Sequence, residues 1–342
     1  MRALADTMKN LTSIKLFNCV DLNWKDFVKL VVALPDLEEL IIDSCAIGEE
    51  EMVVLCAGFQ RLKILTLINN EEGLGLCHLT KMGAYIEELK LSIDGEYLNL
   101  KMDSFLIGNY PRKELQSLYL KVKDAIEIDW THYRVYQNLE KFVITYTTQT
   151  NLNLTGIGQM THLKYLKIFD DTTVLQRDAI NDANMIEILN SLPNLKILKI
   201  GSTIKKRNCL TSKLIKHIID TKLGLEYIEF RNTHLILSDE FSLLSKTKTL
   251  RYISLHTVNI TSLGLIKLIR NCKDLRILKL RNNKNISNEV LNTYIKHSLE
   301  NSSIKHRLIL DNEYKNKITR PQQKNIEIIF KEEQKYIFNL GI

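Results

Sequence analysis

Hydrophobic residues along this chain keep a fixed rhythm. The phrase L-x-x-L-x-L, with Ile or Phe allowed for Leu, begins at Leu11, Leu37, Leu62, Ile86, Leu115, Leu139, Leu163, Leu195, Leu225, Leu250 and Leu275, a mean spacing of about 26 residues. Within each copy the L-x-L part alternates, as a short strand does, so side chains point to opposite faces. In LRILKLRNN (Leu275 to Asn283), Leu278 and Leu280 face inward while Ile277, Lys279 and Arg281 face outward. The stretches between the phrases change period. EEEMVVLCAGF (Glu49 to Phe59), DANMIEILNSL (Asp182 to Leu192), TSKLIKHIIDT (Thr211 to Thr221) and TSLGLIKLIRNC (Thr261 to Cys272) carry apolar residues at three- and four-residue steps, which predicts helices. Thr211, Thr261 and Ser287 stand where an N-cap hydroxyl accepts from a free backbone N–H.

Eleven strand–helix units at this period are the signature of leucine-rich repeats. A single strand cannot bury its own leucines, but a stack of neighbours can. The expected fold is therefore α/β, a right-handed leucine-rich-repeat horseshoe with a concave parallel β-sheet and convex helices. Residues 1–310 form about 11–12 repeats, the last being the weaker strand His306 to Leu310, and residues 311–342 form a C-terminal cap or tail. The chain opens in the helical half of a repeat, at MRALADTMKNL, and shows no second domain. Three residues beyond the last strand leucine, a polar side chain is expected to bond the turn. Cys19, Cys45, Asn70, Asp94, Thr147, Asp171, Thr203, Thr233 and Asn283 occupy this position, and only Lys123 and Val258 break the series.

Composition adds boundaries. The 342 residues carry a net charge of +7, unevenly spread: residues 1–100 hold 9 Lys/Arg against 16 Asp/Glu, and residues 201–342 hold 26 against 13. The chain thus has an acidic beginning and a basic end. It contains no apolar run long enough to span a membrane and no signal peptide. Six cysteines without a CxxC pair fit neither a zinc site nor a disulfide framework, so reduced thiols in the cytoplasm or nucleus are expected.

VNITSLGLIKLIRNCKDLRILKLRNN (Val258 to Asn283) resembles the cysteine-containing class of leucine-rich repeat through Ile260, Thr261, Gly264, Leu265, Asn271, Cys272, Leu275, Leu278 and Leu280. Cys19 and Cys45 sit at the turn position of that class, and residues of about 70–250 depart from it. Repeats of this class are typical of F-box/LRR proteins. There an F-box binds a Skp-type adaptor of a cullin ubiquitin ligase and the horseshoe captures the substrate. No F-box precedes the repeats, so the resemblance implies either a fragment of such an adaptor or a stand-alone binding horseshoe.

Catalytic patterns are absent: there is no phosphate loop, no GxGxxG and no HExxH. Neither a catalytic residue nor a metal site nor a cofactor is expected. Cys77 and His78 in GLGLCHL read as loop residues, His297 and His306 as helix-end and surface histidines, and the acidic residues of IDTKLGLEYIEF (Ile219 to Phe230) as solvated edges.

Outward strand positions are where such a scaffold acts. In the first four repeats they include Lys15, Glu39, Asp43, Glu88 and Lys90. From the fifth on they include Tyr119, Lys121, Lys141, Tyr165, Lys167, Phe169, Lys199, Tyr227, Glu229, Arg231, Tyr252, His256, Lys279 and Arg281. In the second set seven Lys/Arg face one Glu, which points to a basic, aromatic groove for an acidic protein partner. The partner-binding residues predicted on it are Tyr119, Lys121, Lys167, Phe169, Lys199, Tyr227, Arg231, Tyr252, His256, Lys279 and Arg281. Other readings are a GTPase-regulating horseshoe resembling the Ran GTPase-activating family and a basic groove for nucleic acid.

Overall fold

The computed structural model describes residues 7–34, 36–45, 47, 49–58, 61–68, 79, 85–94, 114–123, 136, 138–146, 154–171, 180–202, 209–283, 286–301, 303–315 and 325–331. It falls into two compact units: Met1–Ala179 with Glu187–Asn194, and Ile180–Ile186 with Leu195–Ile342.

The first unit contains strands β1 (Ser13–Phe17), β2 (Glu39–Asp43), β3 (Ile64–Ile68), β4 (Glu88–Asp94), β5 (Ser117–Lys123), β6 (Lys141–Tyr146) and β7 (Tyr165–Asp170). Helices α1 (Trp24–Val32) and α2 (Glu49–Gly58) fall between the first three strands. The second contains β8 (Ile197–Ser202), β9 (Tyr227–Arg231), β10 (Tyr252–His256), β11 (Ile277–Arg281), β12 (His306–Asp311) and β13 (Ile326–Lys331). Between them run α4 (Ser212–Asp220), α5 (Ser238–Leu243), α6 (Ser262–Asn271) and α7 (Asn288–Glu300); α3 (Asp182–Asn190) precedes β8. Strands follow chain order and pair in parallel within each unit, so both are α/β leucine-rich-repeat stacks.

Register makes the core. In the first unit Leu40, Leu65, Leu89, Leu118, Phe142 and Leu166 stand side by side. In the second the row is Leu198, Ile228, Ile253, Leu278, Leu308 and Ile328. These residues are buried, apart from Ile328 on β13, as are the leading Leu62, Leu195, Leu225, Leu250 and Leu275 of the phrases. Burying one such side chain contributes about 1.5–3 kcal/mol, so each repeat depends on its neighbour. β1, at the start of the order, leaves Ile14 and Leu16 only half-buried.

The four predicted helices match α2, α3, α4 and α6 to within two residues. Thr211 and Thr261 cap as expected, accepting from the N–H groups of Lys213 and Gly264. Ser287 occupies the N-cap of α7 without a side-chain cap bond; its own N–H donates to Ser262 Oγ at 3.0 Å, tying the turn to the previous helix instead. The 311–342 segment contains β13, which runs alongside β12 from His306↔Ile326 to Asp311↔Lys331.

The turn ladder is present in altered form. Cys45 Sγ accepts from Cys19 N–H at 3.3 Å and donates to Asp43 O. Asn283 Oδ1 accepts from Val258 N–H at 2.9 Å while its Nδ2 donates to Leu255 O at 2.8 Å. In the β9 repeat the strut is Asn232, whose Nδ2 donates to Ser202 O at 2.7 Å; the expected Thr233 is buried, its hydroxyl without a partner among the described residues. An amide carries both donor and acceptor and reaches further than a hydroxyl. Asn70, Thr147 and Thr203 lie outside the described residues, as do the side chains of Asp94 and Lys123. Just before these positions the backbone turns left-handed, at Asn18, Ser44, Asn232, Thr257 and Asn282, with φ of 49–56°. This directs the N–H groups of Asn18, Ser44, Asn232 and Thr257 onto a carbonyl of the next repeat.

Gly264 acquires a physical reason. A Cβ there would stand 2.9 Å from the Ser238 carbonyl oxygen, and closer still to the Ser238 hydroxyl. The glycine thus lets α6 lie against the start of α5, where Ser238 Oγ also bonds Thr261. Gly264→Ala should destabilise the second unit by about 1–3 kcal/mol through overpacking. Chemical denaturation should show a lower midpoint; an unchanged midpoint would remove the close-approach argument.

Candidate functional site

Inward leucines leave the alternate positions on the open face of the sheet. In the second unit these form three rows. One holds Tyr227, Tyr252 and Ile277; the next Lys199, Glu229, Ser254 and Lys279; the third Arg231, His256 and Arg281. Neighbours in a row are about 4.8 Å apart, so their side chains must either attract one another or be separated.

Glu229 organises this surface. Sequence reasoning placed it on a solvated edge, yet it is 2% exposed. Its carboxylate contacts the Arg231 guanidinium, accepts from Tyr227 Oη at 3.0 Å and has Lys199 Nζ at 4.0 Å. Burial on its own raises its pKa; attraction from Arg231, Lys199 and Lys279 overcomes that and holds it down at about 2. The physical reason for the burial is crowding: long cationic side chains on either side fold over the single carboxylate among them.

The two tyrosines stack, with ring centroids 5.9 Å apart and planes at 19°. Lys199 sits 4.8 Å over the Tyr227 ring. Offset stacking and cation–π contact hold the rings as a fixed apolar platform beside the charged row. His256 is pushed down to about 4 by burial and by Arg231, so it is neutral at pH 7. Arg281 pairs with Asp311 at the end of β12. Lys279 differs from the others: it forms no ion pair or hydrogen bond among the described residues. Burial depresses its pKa, and Glu229 attracts it from two strands away.

The first unit uses its outward residues internally. Tyr119 lies between the ammonium groups of Lys90 and Lys141, each 4.9 Å from its centroid, and Lys141 also stands 5.1 Å over Tyr165. Lys90 pairs with Glu88 at 2.7 Å. Lys167 caps Phe169 at 4.6 Å. Phe169 itself, expected on the binding surface, is 1% exposed, because an aromatic ring beside a long lysine gains more from being covered than from facing water. Lys121 shares the face, in register with Ser92 and Thr145.

The expected basic positions fall in both units. Lys141 and Lys167 belong to the first unit, and Lys199, Arg231, Lys279 and Arg281 to the second. In the second they occupy two rows, interrupted by Glu229 and Ser254. Sequence reasoning passed over Ser254, a small residue at a position where its neighbours are charged. It is 2% exposed and its hydroxyl has no partner among the described residues. Only the repeat register, which sets it between Glu229 and Lys279, singles it out.

Of the helix-end and surface roles expected for two histidines, the first holds for His297, but both side chains are buried. His297, in the last turn of α7, and His306, which opens β12, meet edge to face with ring centroids 5.7 Å apart. His297 Nε2 lies 3.2 Å from Leu275 O. Cys272 is also buried, and desolvation pushes its thiol up to about 12, a structural rather than reactive setting. Cys77 and His78 lie outside the described residues. Among the described residues no His/Cys/Asp/Glu group could hold a metal ion, and no helix is long and apolar enough to cross a membrane.

A folded carboxylate held below its ordinary 4.5 contributes stability above that pH and loses it as pH falls towards 2. Thermal melts of the wild type should show this loss between pH 4.5 and 2, and Glu229→Gln should flatten it. At pH 7 the same variant should cost about 2–3 kcal/mol, because the half-buried Arg231 is left without its counter-charge. Parallel pH profiles for the two proteins would contradict the role given to Glu229.

No family model matches the chain, and no curated protein matches it in sequence. Solved structures do. The matched chain of the yeast Rad7–Elc1 complex is 15% identical with a TM-score of 0.53, over 96% of this chain and 87% of that one. An internalin, InlF of Listeria monocytogenes, is 14% identical with a TM-score of 0.48, over 96% of this chain and 85% of its own. TLR13, in its complex with ssRNA13, is 17% identical with a TM-score of 0.44; the match covers 82% of this chain and 37% of TLR13. What the yeast match shares with this chain is the fold.

Proposed function

We propose that this chain is a non-catalytic protein-interaction scaffold whose second unit receives an acidic partner on the open face of its sheet. The observation that carries the reading is the stacked Tyr227–Tyr252 platform beside the row that holds Lys199 and Lys279, with Arg231 and Arg281 in the row beyond. Lys199, Arg231, Lys279 and Arg281 outnumber Glu229 and Asp311 by four to two. Tyrosine and arginine are the residues that anchor protein interfaces, since they bury area with a polar handle and lose little freedom. The fold neighbour from yeast comes from a complex of two proteins, Rad7 and Elc1, in keeping with this reading. Nucleic acid is a poorer fit, because its phosphates need continuous positive charge and two carboxylates interrupt it here.

The finer role is substrate recognition within an F-box/LRR-type ubiquitin-ligase adaptor. It rests on the likeness of Val258 to Asn283 to the repeats of that family. The full-length gene product should co-precipitate a Skp-type adaptor and a cullin; recovery of neither would end the adaptor role and leave the scaffold standing. For the scaffold, Tyr252→Ala and Arg281→Ala should each weaken partner capture about tenfold or more, the range of interface hot spots. Wild-type capture by both variants would move the binding surface elsewhere.

A further inference from the structure

The charge pattern on the open face of the second unit separates satisfied cations from an unsatisfied one. Arg231 and Lys199 are drawn to Glu229, and Arg281 to Asp311. Both guanidinium groups, the side chains best shaped to clasp a phosphate, are already engaged by internal carboxylates. Lys279 has no such partner among the described residues. Beside it in register stands Ser254, whose buried hydroxyl also lacks one. A lysine and a serine on adjacent strands, each with unused hydrogen-bonding capacity, are uncommon on a packed surface, where such groups are normally paired.

Three features surround this pair. Tyr252 precedes Ser254 by two positions on the same strand and so shares its face, stacked on Tyr227. Arg281 follows Lys279 by two positions on β11. Ile277, in register with Tyr252, extends the apolar row next to Lys279. An anion placed between Ser254 and Lys279 would thus have an aromatic and aliphatic shelf along one side and the neutral His256 with Arg281 along the other, while Glu229, already engaged by Arg231, stands in register beyond Ser254.

We infer that Ser254 and Lys279 form a carboxylate-accepting subsite, which takes one Asp or Glu side chain of a partner whose adjacent residue is aromatic or aliphatic and lies on Tyr252 and Ile277. The inference rests on the scaffold reading above and names the chemistry of its partner. A carboxylate has two oxygens, matching one ammonium and one hydroxyl. A phosphoryl dianion is held best by a guanidinium fork, and releasing one here would strand Glu229 or Asp311. Lys279 also suits the role energetically: burial lowers its pKa and Glu229, two strands away, offsets that only in part, so an arriving carboxylate stabilises its charged form.

The test uses the full chain and phage-displayed random heptapeptides. Selected peptides are remade with the acidic residue changed to its amide or to phosphoserine, and Kd is measured for wild type, Lys279→Met, Ser254→Ala and Tyr252→Ala, with thermal melts to confirm folding. Selected peptides should carry a carboxylate next to an aromatic or aliphatic residue. The amide should bind at least tenfold more weakly than the acid, and phosphoserine no better than the acid. Lys279→Met should weaken the acidic peptide at least tenfold and abolish the difference between acid and amide. Ser254→Ala, which leaves the charge in place, should weaken it about threefold. Equal binding of acid and amide by wild type, full binding by Lys279→Met, or preference for phosphoserine would each overturn the subsite. Peptides that bind without acid preference yet lose affinity in Tyr252→Ala would sink the subsite and keep the scaffold reading. A library that yields no binder, or only binders indifferent to Tyr252→Ala, would count against both.

Discussion

Parallel pairing in strict register is the constraint on which the rest of this protein depends. One strand of five to seven residues exposes its leucines whatever it does alone. Beside another strand of the same register it buries them in a continuous row, as Leu198, Ile228, Ile253, Leu278 and Leu308 do. A slip of one residue would send that row to the open face and bring lysines to the core. The turn struts reinforce the register. Cys45 and Asn283 each accept from the preceding repeat's backbone, and Asn232 donates to it, so successive turns cannot shift independently.

The same register governs the open face. Stacking identical positions at about 4.8 Å places like beside like, and rows of lysine and arginine would repel. Two solutions occur. In the first unit aromatic rings intervene, and the ammonium groups of Lys90, Lys141 and Lys167 rest over them. In the second, one carboxylate is buried among the cations and draws them inward. Glu229 is therefore a structural element of the surface, and what it leaves unmatched defines where that surface has chemistry to offer.

Left-handed residues tell a related story. Asn18, Asn232 and Asn282 adopt that conformation readily, whereas Thr257, a β-branched residue, does so at a cost of about 1 kcal/mol or more. Its N–H gains the Arg281 carbonyl and its hydroxyl lies 3.1 Å from His256 Nδ1. Strain at that turn is offset by one bond made locally and one that exists only because the next repeat stands in place.

Much of the architecture was legible in the chain itself. The repeat spacing located strands β1 to β12, the change of period located α2, α3, α4 and α6, and Thr211 and Thr261 announced their caps. These features are local: alternation, helical spacing and a hydroxyl before a helix act within a few residues. The candidate site was legible only in outline. Tyr227, Tyr252, Lys279 and Arg281 could be assigned to one face by counting, but not who neutralises whom. That Glu229 is buried, that Phe169 is covered by Lys167, that Asn232 rather than Thr233 bonds the turn, and that His297 meets His306 all depend on side chains brought together from about 9 to 30 positions apart or on how they fold over one another. Sequence alone determined the repeat and its faces, because periodicity is a property of the chain. Tertiary structure decided which charges are satisfied, because pairing and desolvation arise only between neighbouring repeats.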